Sequence, residues 1–123
     1  MITGRRRMDD RELLELAAKA VEQDYWIVRL APRSNPSEHL HYKGSDGETH
    51  EWNPLKDDGD AFRLAVTLEL CITIFEDAVG VGNKFTNTPY IEYERKKDLF
   101  ESTRRAIVSQ AAEIGELKLT EEI

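Results

Sequence analysis

The 123-residue sequence predicts a single α+β domain of two layers, in the order α-β-β-α-β-β-α, with a mainly antiparallel sheet and its helices packed on one face. Three observations carry this. Apolar residues recur at helical spacing in three separate stretches, with short β-rich runs between them. An Asp-Gly pair joins two of those runs too closely for a parallel crossover. Hydrophobic residues make up 40% of the chain and charged residues 33%, enough for a core beneath a charged surface. A chain of this length buries about two-thirds of its unfolded surface and needs neither disulfide nor metal to fold.

The first helix is marked by Leu13, Leu14, Ala17, Ala20 and Val21 at helical spacing, with Asp9 or Asp10 as its cap. Tyr25 to Leu30 is β-rich and counts as an optional fifth strand, ended by the Pro32 to Pro36 loop. His39 to Lys43 and Glu48 to Trp52 then flank Gly44-Ser45-Asp46-Gly47. A two-residue turn at Asp46-Gly47 sets Lys43 opposite His50 and His41 opposite Trp52. The second helix starts at Asp57 or Asp58, buries Ala61, Leu64, Ala65 and Leu68, and carries Phe62 and Val66 on its flank. Cys71 to Phe75 begins a strand that ends near Gly80 to Asn83, and Thr88 to Arg95 reads as another. The last helix is capped by Ser102 or Thr103, carries Ala106, Ile107, Ala111 and Ile114, and stops at Gly115. Residues 1–8 are expected as a flexible basic tail, 9–116 as the domain, and 117–123 as a short acidic tail. Met8 ahead of Asp9-Asp10 also reads as an alternative start.

Charge and composition exclude several classes. With 24 acidic against 17 basic residues the net charge is −7, which argues against general nucleic-acid binding; only Arg5-Arg6-Arg7 runs the other way. The longest apolar runs are a few residues, so no membrane span and no signal peptide are expected, and the chain is assigned to the cytoplasm. The lone Cys71, between Leu70 and Ile72, reads as a reduced, buried thiol.

The candidate site is Trp52-Asn53-Pro54-Leu55-Lys56-Asp57-Asp58-Gly59-Asp60, a turn held between a strand and a helix. Clustered carboxylates suit a hard cation, but setting Gly59 at the sixth loop position puts Pro54 and Lys56 where ligands belong. Asp57, Asp58 and Asp60 are therefore read as cap and structural residues. His39, His41 and His50 share one face in the expected register beside Trp52, yet no fourth zinc ligand accompanies them. Cys71 has no neighbouring base, and no phosphate-binding glycine motif or nucleophile elbow occurs. No catalytic residue, metal or cofactor is assigned, and an enzyme is not expected. Arg63, Arg104 and Arg105 lie near helix N-termini, where they oppose the dipole and need another reason to be there. Either they pair with Asp57, Asp58 or Asp60, or they bind an anion such as a nucleotide with Trp52 or Tyr25 stacked on the base.

Asp10 to Ala20, Trp52 to Val66 and Thr103 to Gly115 together resemble a family of small phage and prophage proteins. Members begin near the equivalent of Met8, carry a W-N-P-L-x-D-D-G-D-A-x-R-L-A block and end in a T-R-R-A-I-V helix; the layout is distantly similar to the NinX-type phage proteins. The resemblance implies a bacterial host cell and no activity. The expectation is a phage accessory protein that binds a host protein, a defence or regulatory factor, through its acidic surface and the loops around Trp52 and Gly80 to Pro89. The alternatives are sequestration of a small anionic ligand by Trp52, Arg63, Arg104 and Arg105, at a homo-oligomer interface, and a virion or assembly role.

Overall fold

A computed structural model describes residues 9–21, 27–29, 40–43, 46–85, 90–92 and 98–121. Along them run α1 (Asp10–Val21), β1 (Ile27–Arg29), β2 (Leu40–Lys43), β3 (Thr49–Trp52), α2 (Asp58–Thr67), β4 (Cys71–Ile74), β5 (Val79–Gly82), β6 (Tyr90–Glu92) and α3 (Leu99–Glu121). The fold is α+β, as expected. The strands number six among the described residues and divide into two antiparallel sheets, β1-β2-β3 and β4-β5-β6. The segment expected as one strand from Cys71 to Asn83 folds back on itself, with Phe75 N–H donating to Ala78 O at 2.8 Å across a two-residue connection. The basic tail of residues 1–8 lies outside the described residues, as do 86–89 of the expected Gly80 to Pro89 loop.

Helix α3 organises the rest. Every residue from Ala106 to Ala112 is buried, which a helix achieves only when neighbours surround it. Helices α1 and α2 and strands β5 and β6 lie against it. Against α1 it runs in the same direction. Arg105 meets Asp10 at 3.1 Å, Gly115 meets Leu16, and Lys118 donates to Ala20 O at 2.6 Å. That last bond satisfies an orphan carbonyl at the end of α1. The faces in contact are rich in small residues: Ala17, Ala18 and Ala20 on one side, Ala111, Ala112 and Gly115 on the other.

Gly115 is therefore no helix stop. A Cβ there would lie 1.9 Å from the Leu16 carbonyl oxygen, so the glycine permits backbone-to-backbone contact in mid-helix. Helix α3 continues to Glu121, through most of the stretch expected as an acidic tail. It also starts earlier than Ser102 or Thr103. Asp98 Oδ1 accepts from Phe100 N–H at 2.9 Å and Glu101 N–H at 3.2 Å, as an N-cap does, and Ser102 is buried in the second turn.

Other termini follow local chemistry. Asp9 and Glu12 form a reciprocal capping box, with Glu12 N–H on Asp9 Oδ1 at 2.8 Å and Asp9 N–H on Glu12 Oε1 at 3.2 Å. Helix α2 closes in a Schellman arrangement: Glu69 N–H donates to Val66 O and Leu70 N–H to Ala65 O. Glu69 takes the left-handed position usually given to glycine, at φ 54°.

The β2–β3 hairpin is one residue out of the expected register. Lys43 pairs with Thr49, Tyr42 with His50, His41 with Glu51 and Leu40 with Trp52. Gly47 alone takes a positive φ in this turn among the described residues, whereas the expected two-residue turn requires two such residues. One residue of slip changes every face assignment. His41 and His50 thus fall on opposite faces, and His39 lies outside the described residues. Cys71 is exposed rather than buried, because β4 is the open edge of its sheet and is exposed along its whole length. Among the described residues no helix is long and apolar enough to cross a membrane.

If Gly115 is a contact glycine, Gly115→Ala must destabilise despite the roughly 1 kcal/mol helix-propensity gain of alanine. Overpacking against a backbone oxygen costs about 3 kcal/mol. The expected net loss is therefore about 2 kcal/mol, read from the urea midpoint. A neutral or stabilised variant contradicts the packing described.

Candidate functional site

The turn from Trp52 to Asp60 is a hydrogen-bonded unit built around three side chains, Asn53, Asp57 and Asp60. Asn53 Oδ1 accepts from Leu55 N–H at 3.1 Å, and Asn53 O accepts from Lys56 and Asp57 N–H at 3.0 and 2.9 Å. Asp57 is the N-cap of α2: its side chain accepts from Asp60 N–H at 2.8 Å, and its carbonyl takes the first helical bond, from Ala61 N–H. Asp60 reaches back. Only 4% exposed, it accepts from Asn53 N–H at 2.9 Å through Oδ2 and from Arg63 Nη2 at 2.5 Å through Oδ1. Trp52, Pro54 and Leu55 point into the core beneath the turn.

Helix α3 fastens this unit from outside. Arg104 Nε donates to Leu55 O at 2.9 Å, and Nη1 meets Asp58 Oδ1 at 2.7 Å. The arginine side chain is mostly buried, whereas that of Asp58 is 68% exposed. Arg105 goes elsewhere, to Asp10 on α1. The three arginines thus meet three different carboxylates. The three aspartates of the turn likewise diverge, toward a cap, an arginine of α3 and an arginine of α2.

The geometry sends Arg63, Arg104 and Arg105 to separate carboxylates and Trp52 into the core. Trp52 is 2% exposed and offers no ring face to a base. Its indole N–H is buried without a hydrogen-bond partner among the described residues. Among those residues no group of His, Cys, Asp or Glu is arranged to hold a metal ion.

What the turn does present is an open depression of about 580 Å³, lined by His50, Glu51, Asn53, Lys56, Asp57, Asp60 and Arg63. The lining mixes both signs of charge and carries no Ser, Thr or Cys nucleophile. His50 Nε2 lies 3.2 Å from Asp46 Oδ2. The Glu48 N–H, 2.9 Å from Asp46 Oδ1, and then the His50 ring hold the Asp46 carboxyl below its ordinary 3.8. The ionised carboxyl therefore steadies this turn above that ordinary value, and the support is lost as pH falls through the lowered value. Beside the depression, Phe62 and Val66 stand on the outer face of α2, 68% and 58% exposed. Their spacing of four, opposite the buried stripe of Ala61, Leu64 and Ala65, is the sequence signal for an apolar second face.

Comparison with protein-family models, curated proteins and solved structures gives no match to this chain.

The aspartates of the turn should differ in what their loss costs. Asp60→Ala leaves the part-buried Asn53 N–H without its acceptor and costs about 2 kcal/mol, Asp57→Ala loses a cap at about 1 kcal/mol, and Asp58→Ala, a largely exposed partner, costs less than about 1 kcal/mol. Chemical denaturation should return that order, and an Asp58 effect above Asp60 overturns the assignment. A thermal-shift panel of cyclic and linear nucleotides should be flat, since the arginines pair with carboxylates and Trp52 is buried; Tyr25 lies outside the described residues.

Proposed function

We propose that this chain is a phage or prophage accessory protein that acts by binding a host protein rather than by catalysis. The observation that carries the reading is the outer face of α2. Phe62 and Val66 expose two large apolar side chains one turn apart, on the helix that also turns Arg63 and Asp60 toward the open depression. Apolar anchors beside a polar, mixed-charge concavity suit a protein surface. The phage assignment rests on the resemblance of the Asp10 to Ala20, Trp52 to Val66 and Thr103 to Gly115 segments, and the host partner follows from it.

A net charge of −7 favours a partner with a basic face, such as a nucleic-acid-binding host factor. Steering of that kind weakens as salt rises, so association slows with ionic strength. The contact residues are Phe62, Val66 and the rim formed by Lys56 and Arg63. Trp52 contributes from below, by holding the turn in place.

Affinity capture from bacterial lysate tests this with a matched pair of baits, wild type and Phe62→Ser/Val66→Ser. A protein enriched on the wild type over a charge-matched control, and lost from the double variant, is the expected result. Equal capture by both baits, or none by either, contradicts the reading.

A further inference from the structure

Sheet edges in folded proteins are usually guarded by charge, proline or a covering segment. Among the described residues, strand β4 has none of these. It is the terminal strand of its sheet, exposed along its length, and from Leu70 to Phe75 it carries neither a charged residue nor a proline. Ile72, Ile74 and Phe75 are 39%, 48% and 46% exposed.

We propose that β4 is a self-association edge, at which two copies of this chain pair antiparallel about a two-fold axis through Thr73. Their two three-stranded sheets then join into one of six strands.

Backbone valence selects this register. Phe75 N–H bonds to Ala78 O, and the β4–β5 register alternates from there, so Thr73 and Cys71 turn their backbone groups toward β5. Ile72 and Ile74 turn theirs to the open edge. Centring the pair on Thr73 sets Ile72 of each copy opposite Ile74 of the other, and every outward N–H and C=O of both residues finds a partner. Centring on Ile72 would require the Leu70 N–H, which is already donated to Ala65 O at 2.9 Å. The side chains agree with the same register. Isoleucine meets isoleucine twice, Thr73 meets Thr73, and the small Cys71 faces the large Phe75.

Charge opposes the pairing at the ends of the ladder. Glu69 of one copy comes opposite Asp77 of the other, and Lys84, 2.6 Å from Glu69, supplies the counter-charge on each side. Glu76 adds a further acid there, so the association strengthens as salt rises. The outer face of α2 is not involved, and Phe62→Ser/Val66→Ser leaves self-association unchanged.

Sedimentation equilibrium of the full chain, from about 1 µM to about 1 mM to cover weak specific pairing, is the direct test. The mass should rise toward twice 14.2 kDa. Ile74→Pro removes an outward N–H while sparing every β4–β5 bond, and should hold the chain monomeric. Should that variant lose its native circular dichroism, Ile72→Lys/Ile74→Lys decides in the same way. Register is read by oxidation. Thr73→Cys in a Cys71→Ser background places two thiols opposite each other at a non-hydrogen-bonded pair, about 4.5 Å between Cα atoms, and cross-links. Cys71 of wild type lies about 13 Å from its copy along the edge and does not. A monomer throughout the series, a dimer that survives in the folded edge variants, or cross-linking through Cys71 in preference to Thr73→Cys overturns the proposal.

Discussion

The contact between the backbones of α1 and α3 at Gly115 is the constraint on which the rest of the structure depends. Two helices meet where one has no Cβ and the other offers a carbonyl oxygen, and alanines line the approach on both sides. Close approach makes α3 the central rod, with α1 along one side and α2, β5 and β6 on the others. Dispersion across such a face is individually small and collectively large, and it vanishes quickly if the helices are forced apart. The polar contacts at the ends of this pair, Arg105 with Asp10 and Lys118 with Ala20 O, fix direction more than they add stability.

The turn beneath the candidate site inherits its position from that rod. Arg104 ties Leu55 O and Asp58 to α3, and the buried Asp60 ties the start of α2 back to Asn53. Those carboxylates and guanidinium groups are committed to holding the turn. The surface it offers is consequently the shallow depression and the outward side of α2. On the reading proposed above, a partner would meet rigid support below and adaptable side chains above.

Much of this is legible in the sequence, and the departures have physical causes. The helical spacing of Leu13, Ala17, Ala20 and Val21 locates α1, because a helix packed by one side on a core requires an apolar stripe of that period. Gly115 reads as a stop since a glycine after an apolar helical run serves equally as a C-terminal cap or as a contact point; only the partner helix distinguishes them. Asp46-Gly47 marks a hairpin but points to the wrong register, because turn type depends on backbone angles that the dipeptide does not fix. Cys71 looks buried from its apolar neighbours, yet it begins β4, an edge among the described strands that is exposed along its length. Trp52 could be core or platform from sequence alone, and the Pro54 and Leu55 that accompany it inward decide for core. The capping box of Asp9 and Glu12 is readable from its spacing of three, a signal that naming only a cap at Asp9 or Asp10 passes over. The anchoring bond from Arg104 to Leu55 O has no sequence signature, since a backbone acceptor carries none.

Stability in this account is graded: the α1–α3 pair forms the last element to open, while the β2–β3 hairpin, anchored to the core through Leu40 and Trp52, opens sooner. Residue-resolved native-state hydrogen exchange measures that gradient directly. The amides of Ala17 to Val21 and Ala106 to Ile114 should exchange slowest, with one shared opening free energy equal to that of global unfolding, and those of β2 and β3 should exchange ahead of them. Amides of α1 exchanging together with the β2–β3 hairpin, or before it, would contradict the central place given to the contact at Gly115.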